Sequence, residues 1–228
     1  MPVNKSAERR VARLYPALRD HFGFQHWWPG ETRFEIVVGA LLTQNCAWTN
    51  VEKAIANLRT AEALSLAALR ALPRERLETL IRPTGYFRQK AERLTRLIAF
   101  LADDLGWDGV SKLTRDTGKF RRELLSLSGI GPETADSILC YGFDRKIFVV
   151  DAYTKRMLSR LPFAVEEDYE TIRLLFERAI IAELDGTLDT FKDFHAQIVM
   201  LGKHYCRKSA PHCVDCPLRA EGLCAYGA

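Results

Sequence analysis

The sequence predicts an all-α fold, and three observations support this prediction. Apolar residues recur at helical spacing along almost the whole chain, beginning with Val11, Leu14 and Leu18. Strand-like composition is scarce, and its best example, residues 147–150, is followed at once by a helical pattern. Glycines separate the periodic segments, as expected at turns. We therefore expect many short helices joined by short connections.

The predicted helices follow one another closely along the chain. The apolar run at residues 34–42 has the composition of a strand, but its continuation through residues 43–45 favours a buried helix. No internal repeat and no low-complexity linker interrupts the pattern. Further helical stripes are predicted at residues 51–58, 66–72, 77–81, 91–105, 132–141, 152–161, 169–183 and 190–203.

Length and composition describe an ordinary globular chain. Its 228 residues suffice for one large or two small domains. No apolar run reaches the roughly 18 residues of a membrane span, and the first residues lack the apolar stretch of a signal peptide, so we expect no membrane span and a cytoplasmic location. The net charge of +4 permits nucleic-acid binding without requiring it.

The sharpest local signal is the segment Gly-Ile-Gly-Pro at residues 129–132, which separates two amphipathic helices. Glycine permits positive φ and close backbone approach, and proline is favoured at the first position of a helix. Gly129 and Gly131 would present backbone N–H groups at a helix N terminus, which suits a phosphate, while Ile130 points inward. A plain helix–helix turn is the alternative interpretation.

Six cysteines divide into two isolated residues and a C-terminal group of four. The group has the spacing Cys206-x6-Cys213-x2-Cys216-x7-Cys224. Such crowding, in a chain without a secretion signal, indicates metal ligands rather than disulfides. Four thiolates can hold zinc or a [4Fe–4S] cluster, and the residue chemistry alone leaves both open.

The hairpin segment resembles the helix-hairpin-helix of the endonuclease III superfamily of DNA glycosylases. In that superfamily an Asp follows the hairpin at the start of a helix, and Asp151 in the Val-Val-Asp segment matches it. The resemblance runs from about residue 30 to the C terminus. It implies two helical domains, a six-helix domain at 30–142 ending in the hairpin and a second domain formed by 1–29 and 143–228.

By this resemblance Asp151 is the catalytic carboxylate. Breaking an N-glycosidic bond develops positive charge on the sugar, and an ionised carboxylate near C1′ stabilises that charge and orients or deprotonates water. Taken alone, the residue favours a simpler role, because Asp is among the best helix N-caps. Bifunctional members carry a Schiff-base Lys two residues after the second hairpin glycine. Glu133 occupies that position here, which implies a monofunctional enzyme with water as nucleophile; a plain first-turn acid is the alternative role for Glu133.

A second resemblance is to the 3-methyladenine glycosylase branch first recognised in Helicobacter. It rests on the Trp-Trp-Pro segment beginning at Trp27, on the helix at residues 43–45 and on residues 129–136, where that branch also has Glu at the Lys position. It implies that Trp48 and one of Trp27 and Trp28 sandwich a flipped base, with Glu133 in the same pocket. Aromatic clusters otherwise belong more often to a core. A cationic alkylated purine suits aromatic walls.

The resemblance also predicts DNA contacts. Gln44 and Asn45 match the position at which a Gln fills the gap left by the flipped base. Tyr86, or its neighbour Phe87, matches a loop residue that wedges between base pairs. As alternatives, Gln44 is a helix-capping amide and Tyr86 packs at the core edge. The predicted phosphate contacts are Gly129, Gly131, Arg88, Lys90, Lys203 and Arg207.

For the four cysteines the resemblance implies a [4Fe–4S] cluster in a loop at 206–224. The x6 and x2 spacings match the superfamily, whereas the last spacing is x7 instead of the usual x5. The Helicobacter-type branch typically lacks the cluster, so the chain combines features of two branches and the lesion stays open.

The expected partner is double-stranded DNA containing a damaged base, bound by a monomer. Three other functions remain as alternatives. The first is a bifunctional lyase acting on oxidised pyrimidines, which would need a Schiff-base amine. The second is a mismatch-specific base glycosylase, and the third is a non-catalytic binder of DNA structures, which the presence of Asp151 disfavours.

Overall fold

The computed structural model describes residues 5–111, 113–163 and 168–227. Within these ranges the chain is helical and contains no strand, so the all-α prediction is confirmed there. None of the helices found in those ranges is long and apolar enough to cross a membrane. The helices are α1 Lys5–Ala12, α2 Leu14–Phe22, α3 Arg33–Leu42, α4 Trp48–Thr60, α5 Leu66–Ala71, α6 Arg74–Leu80, α7 Phe87–Ala99, α8 Thr117–Ser126, α9 Pro132–Ser137, α10 Ala152–Leu158, α11 Tyr169–Glu183, α12 Leu188–His204 and α13 Pro217–Ala220.

Three shorter segments complete these elements. A single 3₁₀ turn spans Arg82–Thr84. Helix α7 continues as a π-helical turn over Phe100–Asp104, and α9 continues in the same way over Ile138–Gly142. The predicted helices at 91–105 and 132–141 therefore exist, but each changes its hydrogen-bond register near its end.

The chain divides into two compact units. The first, called here the hairpin unit, comprises residues 28–145. The second, called here the cysteine unit, joins residues 1–27 to residues 146–228. Each unit has its own arrangement of helices and is described separately below.

Helix α3 is the buried centre of the hairpin unit. Its residues Val37, Val38 and Leu41 are completely buried, and the Thr32 side chain caps it by accepting a hydrogen bond from the N–H of Glu35 at 3.1 Å. The helix packs against the π-helical turn at Gly142, where an added Cβ would lie 2.7 Å from Val37. Burial on all sides explains why this segment carries an apolar run instead of a narrow stripe.

The cysteine unit is built around α11 and α12, and its core contains stacked aromatic rings. Phe148 stacks on Phe176 with ring centroids 4.3 Å apart, and Phe194 of α12 lies against both. The strand-like segment 147–150 is buried here without forming a strand. Two of its backbone N–H groups instead donate to side chains of α11, that of Phe148 to Glu177 at 3.1 Å and that of Val150 to the Tyr169 hydroxyl at 3.3 Å.

Candidate catalytic residue and DNA-contact elements

Asp151 lies at the N terminus of α10 and caps it. Its Oδ1 accepts hydrogen bonds from the Thr154 N–H at 2.7 Å and the Thr154 hydroxyl at 2.9 Å. Its Oδ2 lies 3.6 Å from Nε2 of His195 on α12, an ion-pair distance slightly too long for a hydrogen bond. The residue is 9% exposed. Asp151 is therefore the N-cap of α10, and this cap uses only one of its two carboxylate oxygens.

The surroundings of Asp151 keep its carboxylate ionised. Burial by itself would raise the pKa of Asp151, but the His195 imidazole and the two Thr154 donors outweigh burial, so this pKa lies below its ordinary value. Sequence reasoning missed His195, which is buried on α12. A single histidine on an amphipathic helix carries no motif, so only its position beside Asp151 identifies it.

The hairpin connects α8 to α9 as the glycine pattern predicts. Gly129 has φ of +91°, whereas Gly131 has an ordinary φ of −91° and serves as the N-cap of α9. An added Cβ on Gly131 would meet open space, and Ile130 is buried beneath the turn. Among the residues that the structure describes, no acceptor takes the N–H of either glycine. These N–H groups are thus available to an anion.

An ion pair holds the two hairpin helices together. Arg121 of α8 binds the carboxylate of Asp136 on α9 through two nitrogens, at 2.6 and 3.1 Å, and Asp136 is completely buried. A two-point contact between guanidinium and carboxylate fixes orientation as well as distance. Asp136 closes the sequence motif, and the structure shows that its task is to orient α9 against α8.

Gln44 lies against the hairpin. Its Nε2 donates to the Gly129 carbonyl at 3.0 Å and to the Thr134 hydroxyl at 2.9 Å, while its Oε1 accepts from Arg93 at 2.7 Å. The aliphatic part of Arg93 crosses Gly129, where an added Cβ would lie 2.6 Å from Arg93 Cδ. The helix-capping alternative for Gln44 is therefore wrong, because its amide bridges α7 and the hairpin.

Tyr86 is exposed on a strained loop. Its exposed fraction is 70%, and its backbone has φ of +45°, which is uncommon outside glycine. The alternative in which Tyr86 packs at the core edge is wrong. Its neighbour Phe87 is half-buried between the guanidinium groups of Arg82 and Arg88. Asn45, in the loop after α3, is likewise exposed with φ of +47°.

Lys90 does not reach solvent, and the prediction that it contacts phosphate is wrong. Only 1% of the residue is exposed, and Nζ donates to the Leu42 and Thr84 carbonyl oxygens at 2.8 Å each. Lys90 lies on the face of α7 that carries the buried Ala91 and Leu94, and burial lowers its pKa. The sequence gives no sign of this, because lysine usually stays in water.

Two of the four tryptophans line one cavity in the hairpin unit. The rings of Trp28 and Trp48 meet edge to face with centroids 5.3 Å apart, and the cavity beside them has a volume of about 370 Å³. Three glutamates and one arginine also line it: Glu31, Glu35, Glu52 and Arg59. These carboxylates were missed by sequence reasoning, since no motif marks them.

The other two predicted pocket residues, Trp27 and Glu133, are not among the residues that line this cavity. Trp27 belongs to the cysteine unit, and the Lys203 ammonium lies over its ring, 5.4 Å from the centroid. Glu133 is exposed on the first turn of α9 and is not among the residues that line the Trp28–Trp48 cavity. The structure thus joins Trp28 to Trp48 and shows that the indole of Trp27 already attracts a cation.

The four C-terminal cysteines line one small cavity with a volume of about 20 Å³. All four are free thiols, and burial raises the pKa of Cys216, with the charges of Cys224 and Cys206 adding to that effect. In the described part of the chain, no three His, Cys, Asp or Glu side chains converge closely enough to share one metal ion. The donor set, four thiols facing one cavity, nevertheless has the chemistry of a cluster site.

Two arginines contact the cysteine loop, Arg156 in the last turn of α10 and Arg160 just beyond the end of that helix. Arg156 donates to the Cys206 carbonyl at 2.7 Å, and Arg160 donates to the Cys206 sulfur at 3.2 Å and to the Arg207 carbonyl at 2.8 Å. Arg207 itself is half-buried. The helix that begins at Asp151 therefore ends at the loop that contains the cysteines.

Comparison with known families decides the identity of this arrangement. The family model described as the HhH-GPD superfamily of base excision DNA repair proteins matches residues 38–180, more than half of the chain. The chain belongs to the HhH-GPD superfamily. The matched residues include Gln44, the hairpin and Asp151, so the relationship first indicated by the hairpin motif is confirmed.

Relatives of this HhH-GPD protein support the same assignment. A protein of Methanocaldococcus jannaschii named as a DNA repair glycosylase is 44% identical over 211 residues, which cover 92% of this chain and 94% of the relative. Endonuclease III of Thermotoga maritima is 27% identical over 190 residues, covering 82% and 80%. The first of these relatives therefore aligns over nearly the whole chain.

Solved structures place the HhH-GPD protein in the same fold. The H. pylori 3-methyladenine DNA glycosylase bound to 1,N6-ethenoadenine has a TM-score of 0.75 and 29% identity, covering 85% of this chain and 97% of that one. An endonuclease III–DNA complex has a TM-score of 0.74 and 24% identity, covering 98% and 96%. The second likeness concerns the fold alone. The predicted helix-hairpin-helix glycosylase fold is thereby confirmed.

Proposed function

We propose that this HhH-GPD protein is a monofunctional DNA glycosylase that flips a damaged base out of double-stranded DNA and releases it by hydrolysis. The observation that carries the proposal is the environment of Asp151. A buried carboxylate with a lowered pKa, at the superfamily's catalytic position, is ionised at neutral pH. An ionised carboxylate is the group that a positively charged sugar requires.

In the proposed reaction the bond between C1′ and the base nitrogen breaks, and its electron pair leaves with the base. Asp151 stabilises the positive charge that develops on the sugar. The oxygen of a water molecule attacks C1′, and its proton passes to Asp151 or to solvent. The products are the free base and an abasic site. An alkylated, cationic base leaves as a neutral molecule, so no strong general acid is needed.

The residue at the lyase position supports hydrolysis alone. Glu133 stands at the position where bifunctional members carry Lys, and a carboxylate forms no Schiff base. The buried amine of Lys90 is committed to two carbonyl oxygens. A lyase acting on oxidised pyrimidines remains the second candidate, because endonuclease III relatives align over most of the chain.

An alkylated purine such as 3-methyladenine is the substrate that the aromatic residues favour. The Trp28–Trp48 cavity combines two indoles with an excess of carboxylates, which suits a cationic base. Trp27 already holds a cation, the Lys203 ammonium, over its ring. The likeness to a 3-methyladenine glycosylase over 85% of the chain agrees with this choice. By the same resemblance, we propose that Glu133 lies near the flipped base.

For DNA contact we propose the residues that the superfamily resemblance selected. Tyr86 and the Gln44–Asn45 pair would enter the helix from two loops, and the hairpin glycines would bind a phosphate. Further phosphate contacts would come from Lys203 and Arg207. The protein would act as a monomer, because base flipping needs one copy of these elements.

We propose that Cys206, Cys213, Cys216 and Cys224 hold a [4Fe–4S] cluster. Four free thiols around one cavity match the ligand number and type of such a cluster, although zinc would accept the same donors. The chemistry that a bound cluster supplies is four iron–thiolate bonds that tie the loop at 206–224 together. Arg160, which donates to the Cys206 sulfur, would stabilise thiolate charge there.

The test is a panel of duplexes that each contain one lesion, incubated with the protein and analysed with and without alkali. The panel contains 3-methyladenine, 1,N6-ethenoadenine, an oxidised pyrimidine and mispaired adenine, uracil and thymine. We expect strand breaks from an alkylated purine, and only after alkali. Breaks without alkali, together with a borohydride-trapped adduct, would establish the lyase instead.

A further inference from the structure

We propose that Lys90 is a positioning residue that fixes both loops expected to enter the DNA helix. The inference rests on the proposed DNA contacts of Asn45 and Tyr86 and concerns how those loops are held. It does not depend on which base is excised.

The ammonium group of Lys90 lies between the first residues of the two loops. Nζ of Lys90 lies 2.8 Å from the carbonyl of Leu42, the last residue of α3, and 2.8 Å from the carbonyl of Thr84, the last residue of the 3₁₀ turn. The carbonyl at a helix C terminus lacks an intrahelical donor, and a cation there also interacts favourably with the helix dipole. Lys90 therefore ties the beginning of one loop to the beginning of the other.

Both loops carry strain just beyond these anchoring carbonyls. Asn45 follows Leu42 by three residues with φ of +47°, and Tyr86 follows Thr84 by two residues with φ of +45°. A non-glycine residue in this region is strained, and this backbone conformation persists only where its surroundings enforce it. Both side chains are exposed, so packing of these side chains does not enforce it. The two charge-assisted hydrogen bonds from Lys90 instead hold the backbone conformations of both loops in place.

Helix α7 extends the same arrangement to the hairpin. Arg93 lies three residues after Lys90, holds the Gln44 amide at 2.7 Å and crosses Gly129. One helix thus organises the loop after α3, the Tyr86 loop and the phosphate-binding turn. Lys90 cannot contact phosphate or substrate directly, because the residue is 1% exposed and its amine is bonded to two carbonyl oxygens.

The test compares Lys90→Met, which keeps the length of the side chain and removes both hydrogen bonds, with Lys53→Met. Lys53 is an exposed lysine of α4, so this control removes the same charge. The probe is a duplex containing a tetrahydrofuran abasic analogue beside 2-aminopurine, whose fluorescence rises when loop residues enter the helix. The matching single strand serves as a second ligand, because it needs no wedge.

We expect Lys90→Met to lose at least about tenfold in the rate of the fluorescence rise and in duplex affinity, while single-strand binding stays within about twofold. A merely structural role would lower duplex and single-strand binding together and would overturn the proposal. So would a wild-type rate in Lys90→Met. The control should behave as wild type with both ligands.

A double-mutant cycle with Tyr86→Ala measures the coupling between Lys90 and the Tyr86 loop, which general destabilisation by one variant would not produce. If Lys90 acts through the Tyr86 loop, the two substitutions together cost much less than the sum of their separate effects. Additive costs would overturn the inference. If Lys90→Met does not fold, Lys90→Gln, which keeps one donor group, is used in the same cycle. A wild-type protein that gives the fluorescence rise but excises no lesion would refute the proposed function and leave this inference intact.

Discussion

At the scale of single residues, the two carboxylate oxygens of Asp151 make two different contacts. One oxygen caps α10 through Thr154, and the other faces His195 at 3.6 Å. The cap keeps the carboxylate in one orientation, and the imidazole helps to keep it ionised. A residue that stabilises a cationic sugar needs both properties, because a mobile or protonated carboxyl group would contribute little electrostatic energy.

Asp151→Asn should abolish excision while leaving the fold intact. Asparagine caps a helix about as well as aspartate, so we expect thermal stability to change little. The loss of charge should lower the single-turnover excision rate by roughly 100-fold or more. Excision assays and thermal unfolding of the same preparation check both expectations. Release of bases at the wild-type rate would show that the mechanism is wrong.

His195→Gln should change the pH dependence of excision. The pKa of Asp151 lies below its ordinary value near 3.8, so its ionised form stabilises the fold above that pH, and this contribution is lost as pH falls through the lowered pKa. Removal of the imidazole raises that pKa, so the acid limb of the rate profile should move to higher pH. His204→Gln, an exposed histidine of the same helix, is the control. An unchanged acid limb would exclude the role of His195.

At the scale of elements, the two glycines of the hairpin meet different physical requirements. Gly129 needs its positive φ, and its missing Cβ makes room for Arg93. Gly131 has an ordinary φ and faces open space. The first glycine therefore serves the fold, and we infer that the second serves the approach of a ligand.

Alanine substitutions should separate these two requirements. Gly129→Ala should destabilise the protein by on the order of 1–3 kcal/mol, since alanine is strained at this φ and would clash with Arg93. Gly131→Ala should leave unfolding within about 0.5 kcal/mol of wild type but weaken duplex binding severalfold. Chemical denaturation and DNA titration measure the two effects. Equal destabilisation by both variants would contradict this division.

For the whole molecule, the C-terminal loop connects the proposed cluster site to the helix that Asp151 caps. Arg156 in the last turn of α10 and Arg160 just after the helix bind this loop, within the cysteine unit. A cluster that orders the loop would therefore also support the helix whose first turn Asp151 caps. If the proposed cluster is bound, its loss should therefore lower the stability of the cysteine unit as a whole.

Purified protein should contain about four iron atoms per chain and absorb near ~400 nm. Cys216→Ser should lose this absorbance and lower the unfolding temperature, because the loop loses its crosslinks. Cys46→Ser, which removes an isolated thiol of the hairpin unit, should retain both. Metal analysis that finds one zinc ion per chain in place of iron would replace the cluster with a zinc site.

Motifs of neighbouring residues could be predicted from the sequence because their chemistry is local. The hairpin, the Asp151 cap and the cysteine spacing each depend on residues a few positions apart, and the helices follow from apolar periodicity. The segment 147–150 shows the limit of such reasoning. Its composition suits a strand, but the side chains of α11, rather than a second strand, bind its backbone.

What the sequence by itself determined is the helical fold, the hairpin motif and the resemblance that selected Asp151. Only the tertiary structure placed His195 beside Asp151, buried Lys90 between two loops and surrounded Trp28 and Trp48 with carboxylates. The physical reason is sequence distance. Lys90 and Leu42 are 48 positions apart, and a contact of that kind leaves no periodic pattern, because packing of whole helices brings the two atoms together.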